Sequence, residues 1–337
     1  MINTFWLVLG YACNNNCIHC YASPSVYKRK WMDYSFAKEV IITLKENGAK
    51  ECLLIGGEPT LYPNLIEVIS FGANNGLKMI IVSNGRRFSD PSFAQSLFSS
   101  GLDRAIISLE STDEEVHDSM TRREGSFRET VKGIRVCSQK KKVSTLTTIC
   151  RSNSSQLVET VEFAYNLGVK RVVFNCAIPT ISKNNIFIEE CLDPADLARI
   201  VNSLFIRTRK LNLSFHLNAT FPICLLDKDI LKEMLDLGWI TIGCHMYRGQ
   251  GVVFDPEGNI LPCTHFSDSP LITKDMCSKI KIDFLKIWND PNGIPEIFRR
   301  KLWRYPSKKC LNCEYWGGCV GGCPLLWTHF DPITIIK

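Results

Sequence analysis

Apolar and β-branched residues gather in six short runs over the first half of the chain, at Phe5–Leu9, Glu51–Ile55, Lys78–Val82, Arg104–Leu109, Val143–Ile149 and Arg171–Phe174. Between them, apolar positions recur at helical spacing over Ser35–Glu46, Asn64–Ala73, Phe93–Ser99, Phe127–Ser138 and Gln156–Asn166. Thr112 with Glu115 and Ser126 with Glu129 have the spacing of capping boxes. Asp193-Pro194 reads as an N-cap with proline at the first helical position. Asn47-Gly48, Asn75-Gly76 and Leu167-Gly168 read as helix ends, where glycine accepts a left-handed cap. Six β-α repeats in a row call for a parallel sheet with helical crossovers. A doubly wound sheet and a partial barrel, two units short of a closed one, both satisfy the pattern.

The pattern weakens after Leu217, where eight of the sixteen cysteines lie. A first domain over residues 1–215 and a second over 216–337 are expected. Of the 337 residues, 45% are hydrophobic and 22% charged, which excludes a disordered or fibrous chain. The net charge is +6. Its basic clusters (Lys28–Lys30, Arg86-Arg87, Lys140–Lys142, Arg299–Lys301, Lys308-Lys309) are scattered and read as solvated surface, with no nucleic-acid partner. No apolar run reaches the roughly 18 residues of a membrane span, and no export signal is evident. The expected setting is therefore cytoplasmic, where thiols stay reduced and disulfide frameworks are rare. Closely spaced cysteines then read as metal or cluster ligands. Cys52, Cys137, Cys150, Cys176, Cys191 and Cys277, lying apart from one another, read mostly as core.

Cys13, Cys17 and Cys20 follow the first strand within eight residues. Soft thiolates select an Fe–S cluster, zinc or copper(I). A structural zinc closes its shell with four ligands, whereas three cysteines leave one iron of a [4Fe–4S] cluster free for a small molecule. This Cys-x3-Cys-x2-Cys loop resembles the signature of the radical S-adenosylmethionine (SAM) superfamily. The resemblance implies an α/β fold, a partial (β/α)6 TIM barrel core with a small C-terminal Fe–S domain. It also implies that Cys13, Cys17 and Cys20 hold the [4Fe–4S] cluster, that the open iron binds the methionine part of SAM, and that a 5′-deoxyadenosyl radical is released to abstract hydrogen. His19 fills the place of the usual aromatic residue near adenine. Gly56-Gly57-Glu58 resembles the family's GGEP segment, in which glycines admit the ligand and Glu58 serves the methionine ammonium. Ser83-Asn84-Gly85 resembles its TNG segment. Ser108 and Glu110 match a Ser-x-Asp near the ribose hydroxyls, with Glu110 departing by one methylene. His117-Asp118, Arg122 and Gly125-Ser126-Phe127 resemble a stretch of peptide-modifying members. Arg122 and Arg151 are rival partners for the methionine carboxylate.

Cys244-(x13)-Gly258-(x4)-Cys263, followed by Cys310-(x2)-Cys313-(x5)-Cys319-(x3)-Cys323, resembles the SPASM extension of peptide-modifying radical SAM enzymes. The resemblance implies one or two auxiliary Fe–S clusters, one on Cys244, Cys263 and Cys323, the other on Cys310, Cys313 and Cys319. The family's seventh cysteine is missing, since none follows Cys323. His329 and Asp331 are the other donors near the second cluster, and Cys224 is the upstream candidate to complete the first. The activity implied is modification of a residue in a ribosomal precursor peptide: a crosslink, an epimer or a cleaved backbone, with an external electron donor. Because the chain starts at the first strand without a leader-binding module, the resemblance suggests a separate leader-peptide-binding partner, as spliceases that excise a tyramine unit use. Thr264 stands where sulfatase-maturing relatives carry an Asp base, which argues against that substrate. The competing classes are a radical SAM enzyme acting on a small molecule and a non-enzymatic Fe–S or zinc scaffold, which would not need Gly56-Gly57-Glu58.

Overall fold

Ten strands of this chain, seen here in a computed structural model, join into one open sheet. The structure describes residues 2–140, 142–181, 186–276, 280–302 and 305–336. Cys277 and Lys141 lie outside the described residues. Strands β1 (Thr4–Val8), β2 (Glu51–Ile55), β3 (Lys78–Ser83), β4 (Leu102–Ser108), β5 (Val143–Ile149) and β6 (Arg171–Cys176) match the six apolar runs to within two residues at each end. β7 (Thr180–Ile181) and β8 (Ile186–Phe187) form a separate antiparallel pair. β9 (Ser214–Ala219), β10 (Ile240–Ile242), β11 (Gly251–Phe254) and β12 (Ile260–Leu261) complete the set.

The sheet order is β10-β9-β6-β5-β4-β3-β2-β1-β11-β12, parallel except for the β11–β12 pair. From β1 to β6 the chain steps one way only. A doubly wound sheet reverses direction and so covers both faces. Right-handed crossovers that never reverse wind the helices onto one face, as in a barrel. No strand links β10 to β12 among the described residues, so the barrel stays open. The expected domain boundary falls inside β9, and β11 pairs in parallel with β1.

The helices are α1 (Tyr34–Glu46), α2 (Leu65–Asn74), α3 (Pro91–Ser99), α4 (Glu114–Thr121), α5 (Ser126–Gln139), α6 (Leu157–Asn166), α7 (Pro194–Thr208), α8 (Lys228–Asp236), α9 (His245–Arg248), α10 (Ile280–Asn289), α11 (Ile294–Leu302) and α12 (Pro332–Ile335). Their buried faces meet the sheet in one continuous core that includes Phe5, Leu54, Ile81, Ile107, Phe174 and Phe215. Asp193 caps α7 by accepting from the Ala195 N–H, and Gly48, Gly76 and Gly168 have positive φ, as expected.

The two expected capping boxes do not form. Asp113, not Thr112, caps α4, accepting from the Val116 N–H, because a carboxylate is the stronger acceptor. Gly125, at φ 75°, precedes α5, so Ser126 becomes its first residue and donates to Asp118 Oδ1 at 2.8 Å. Two basic clusters are also not plain solvated surface. The Arg86 side chain is only 10% exposed, and Arg299 is buried over the Trp288 ring. No described helix is long and apolar enough to cross a membrane.

Candidate active site

The carboxyl ends of β1 to β6 surround one cavity, on the face where barrel enzymes place their sites. Its walls include Cys13, Cys17 and Cys20, together with His19, Gly56, Gly57, Asn84, Ser108 and Glu110. With Ser83 and His117, the structure gathers eleven of the residues singled out in the sequence for this site. Glu58, Arg122 and Arg151 do not line it.

The cysteine loop is held by backbone and side-chain bonds from three neighbours. Asn16 and Ile18 N–H groups donate to the carbonyls of Thr121 and Met120 at the end of α4, each at 2.9 Å. Arg86 Nη1 donates to Asn14 O at 2.6 Å and to Asn15 Oδ1 at 3.0 Å. Asn84 Nδ2 donates to Asn14 Oδ1 at 2.6 Å. On the third side runs the glycine segment. A Cβ on Gly57 would meet Tyr11 O at 2.3 Å and Ala12 O at 2.5 Å, and one on Gly56 would meet Gly10 O at 2.2 Å. The closest demand for glycine is thus the backbone that leads into Cys13. Burial pushes the Cys13 thiol up to about 12 and Cys17 well above its ordinary value. Loading iron must therefore release protons.

Glu58 is a buried brace. Its Oε1 accepts from Thr60 N (3.0 Å), Thr60 Oγ1 (2.6 Å) and Ser83 Oγ (2.8 Å), and its Oε2 from Asn84 N (2.8 Å), tying the ends of β2 and β3 together. Burial raises its pKa despite these donors. Glu110 accepts from the Thr148 N–H at 3.0 Å and faces His19 Nε2 at 3.4 Å. Burial alone would lower His19, but the Glu110 charge raises it. Burial would raise Glu110, but His19 and the Thr148 N–H hold it down. His19 lines the cavity, and its Nδ1 is buried without a hydrogen-bond partner. Three thiols on one cavity wall, glycine-backed walls and this orphaned nitrogen fit a thiolate-bound cluster with a polar small molecule beside it.

Arg122 caps α4 in a left-handed conformation (φ 50°) and is exposed beside Glu114 and Asp118, outside the cavity. Arg151 is exposed and donates to the carbonyls of Glu189 and Cys191. The arginine that reaches the cysteine loop is Arg86. Its place right after Ser83-Asn84-Gly85, at a strand end, was the available signal.

Sequence reading also missed Tyr21 and His265. Tyr21 Oη donates to Gly56 O at 3.2 Å, and its ring centroid lies 5.7 Å from that of His265. His265 shares a hydrogen bond with Thr180 Oγ1 at 3.0 Å, and burial lowers it to about 4. Cys263 stands two residues before it, so the two rings connect the first cysteine loop to the C-terminal cysteines. Cys323 is acted on by Cys263 and Cys244, and Cys224 by Cys319, Cys310 and Cys313. Cys224 was expected beside Cys244 and Cys263. The loop that leads into it touches the backbone of Gly322 and Cys323, with the Cys323 N–H donating to Thr220 O at 2.5 Å.

Residues 7–164 match the model of the radical SAM superfamily. The chain is 25% identical over 324 residues to the AdoMet-dependent heme synthase of Methanosarcina barkeri, covering 92% of this chain and 87% of that one. It is 29% identical over 333 residues to the mycofactocin maturase MftC of Mycolicibacterium smegmatis, covering 94% and 76%. In fold it resembles Streptococcus suis SuiB bound to precursor peptide SuiA, with a TM-score of 0.76 and 19% identity over 98% of this chain and 74% of that one. With the three cysteines on the first strand's loop and the matched model around them, residues 7–164 form a radical SAM domain, and the chain that carries it is an enzyme.

Proposed function

We propose that this enzyme modifies a ribosomally made precursor peptide. One observation carries the reading: a single cavity runs from the Cys13–Cys17–Cys20 loop to His265, beside the Cys244–Cys263–Cys323 group. A substrate seated there lies between the SAM site and the C-terminal cysteines, as the SPASM arrangement requires. Similarity to a maturase along 94% of the chain supports it. When bound, the [4Fe–4S] cluster and SAM supply the radical that takes hydrogen from substrate. The chain's own residues do the rest. Glu110 and His19 meet the polar part of SAM. Ile178, Ala177 and Leu146 line the cavity and exclude water. Neutral His265, held by Thr180, offers one ring nitrogen to substrate. An external electron donor completes the reading, as the family resemblance implies.

A small-molecule substrate is the second reading, favoured by similarity to a heme synthase along 92% of the chain. The test is to incubate reconstituted enzyme with SAM, a strong reductant and either a precursor peptide encoded beside it or an iron porphyrin. Peptide-dependent 5′-deoxyadenosine, with a mass or stereochemical change in the peptide, supports the first reading. Turnover with the porphyrin alone ends it.

A further inference from the structure

The inner face of the open barrel continues past the cavity toward the amino ends of the strands. Ser108, Leu146, Thr148 and Asn175 line the cavity. Side chains alternate along a strand, so Arg104 on β4, Ser144 on β5 and Arg171 on β6 share that inner face. The register shift between β3 and β4 falls before Arg104 and leaves its alternation with Ser108 intact. Ile106 pairs with Ser144, and Thr145 with Val172. Ser144 therefore stands level with Arg171 and one inward-facing position above Arg104. Strands about 4.8 Å apart put Ser144 between the two arginines, within reach of both long side chains. At about 3.3 Å per residue, Arg104 lies roughly 13 Å below Ser108, toward the end opposite the cysteine loop.

These polar groups lack partners. Arg104 Nε and Ser144 Oγ are buried without a hydrogen bond. Neither Arg104 nor Arg171 joins an ion pair among the described residues. Burial, and then the charge of Arg104, lower the Arg171 pKa, with Glu51 opposing them. Lys50, Lys78, Lys142 and Lys170 are exposed at or just before the starts of β2, β3, β5 and β6, against the acidic Glu51 and Asp103. This end of the barrel is therefore basic. Two half-buried guanidiniums beside an orphaned hydroxyl are costly unless an acceptor meets them.

We propose that Arg104, Ser144 and Arg171 form a binding site for a phosphate group, on the inner face of the barrel at its amino end. Each guanidinium presents a planar fork that pairs with two oxygens, and the hydroxyl donates to a further one. Such a donor set calls for at least three acceptor oxygens on one centre, which a phosphate has and a carboxylate lacks. The lysines at the strand starts draw a dianion toward the site. Inorganic phosphate and a sugar phosphate share this chemistry.

The test is isothermal titration of the iron-loaded enzyme with inorganic phosphate and, separately, with ribose 5-phosphate, at an ionic strength held constant with chloride. Saturable binding is expected, with a rise in melting temperature that chloride does not reproduce. Tighter binding of ribose 5-phosphate would identify a sugar phosphate as the source, and equal or weaker binding would identify inorganic phosphate. Ser144→Ala should weaken phosphate binding at least tenfold. Without phosphate it should melt as the wild type does, since the hydroxyl it removes has no partner. Arg104→Gln should also weaken binding at least tenfold, and without phosphate it should melt no lower than wild type, because one of two neighbouring cations is gone. SAM affinity should hold in both variants, which lie far from the cysteine loop. Absence of saturable binding, binding that neither substitution weakens, or an equal effect of chloride each overturns the proposal. If Arg104→Gln does not fold, Ser144→Ala decides alone.

Discussion

His19 Nε2 stands 3.4 Å from Glu110 Oε1, with side chains only 10% and 4% exposed. The pair joins the cysteine loop after β1 to the end of β4. Both residues were singled out separately in the sequence, one as the neighbour of Cys20 and the other as a displaced ribose contact. Neither spacing indicated that they meet. Breaking a buried pair by removing one partner costs on the order of 3 kcal/mol. Glu110→Ala should therefore lower unfolding free energy by about that much and weaken SAM binding at least tenfold, because His19 loses its anchor. Denaturant melts and equilibrium dialysis with SAM measure the two effects. Unchanged SAM affinity would show that the pair does not shape the SAM site.

Glu58 lies outside the cavity, so its loss should act on stability before binding. Glu58→Ala leaves the N–H groups of Thr60 and Asn84 and the hydroxyls of Thr60 and Ser83 without their acceptor. Each unsatisfied buried group costs about 1–3 kcal/mol. A loss on the order of 3 kcal/mol is expected, with Glu58→Gln retaining part of it. Thermal melts with and without SAM test this. A variant of normal stability that no longer binds SAM would instead put Glu58 in direct contact with the ligand.

Much of the fold was legible because it rests on local pattern. β1 to β6 are apolar runs between amphipathic helices, and β3 and β4 end in Ser83 and Ser108, which line the cavity. The remaining strands were not legible. β10, β11 and β12 have three, four and two residues, and they form because β9, β1 and β11 in turn offer edges to pair with. No periodicity develops over so short a run. The cysteine loop was legible because its three ligands are adjacent in sequence. The position of the loop before Cys224 was not, because it depends on contact between Thr220 and Cys323, about a hundred residues apart. Arg86 was hidden for the same reason: its partners are Asn14 and Asn15.

Asp118 gives a pH dependence. Burial would raise its pKa, but the Phe127 N–H, Ser126 hydroxyl and Gly125 N–H lower it below the ordinary carboxylate value. A depressed folded-state pKa contributes stability that is complete above the unfolded value of about 3.9 and is lost as pH falls through the folded value. Asp118→Asn should cost about 1 kcal/mol at pH 7, as for a lost helix cap. The gap between variant and wild type should shrink below about pH 4. Urea titrations at both pH values check it, and a gap that widens in acid would contradict the argument.

Changing Cys13, Cys17 and Cys20 together to Ala should abolish 5′-deoxyadenosine formation under a strong reductant while the auxiliary iron stays bound. The three thiols share one loop and one cavity wall, apart from the C-terminal cysteines. Chromatography of the reaction and iron analysis of the same sample measure both quantities. Residual 5′-deoxyadenosine would mean that SAM is cleaved at another cluster.

Gly57→Ala tests whether the glycine segment acts through the cysteine loop. Its Cβ would meet Tyr11 O at 2.3 Å and Ala12 O at 2.5 Å. Both atoms are backbone, so the new methyl group cannot be accommodated by a side-chain rotation. The chain leading into Cys13 must move, and with it the Gly57 N–H to Gly10 O bond (2.8 Å) and the Glu58 N–H to Ala12 O bond (2.8 Å). The expected result is loss of about four irons on reconstitution, the content of one [4Fe–4S] cluster, with the C-terminal iron retained. If the glycine were needed only for a ligand to approach, the cluster would assemble fully and only SAM affinity would fall. Iron content measured before SAM is added distinguishes the two, and a full count would place the constraint on the ligand side of the segment.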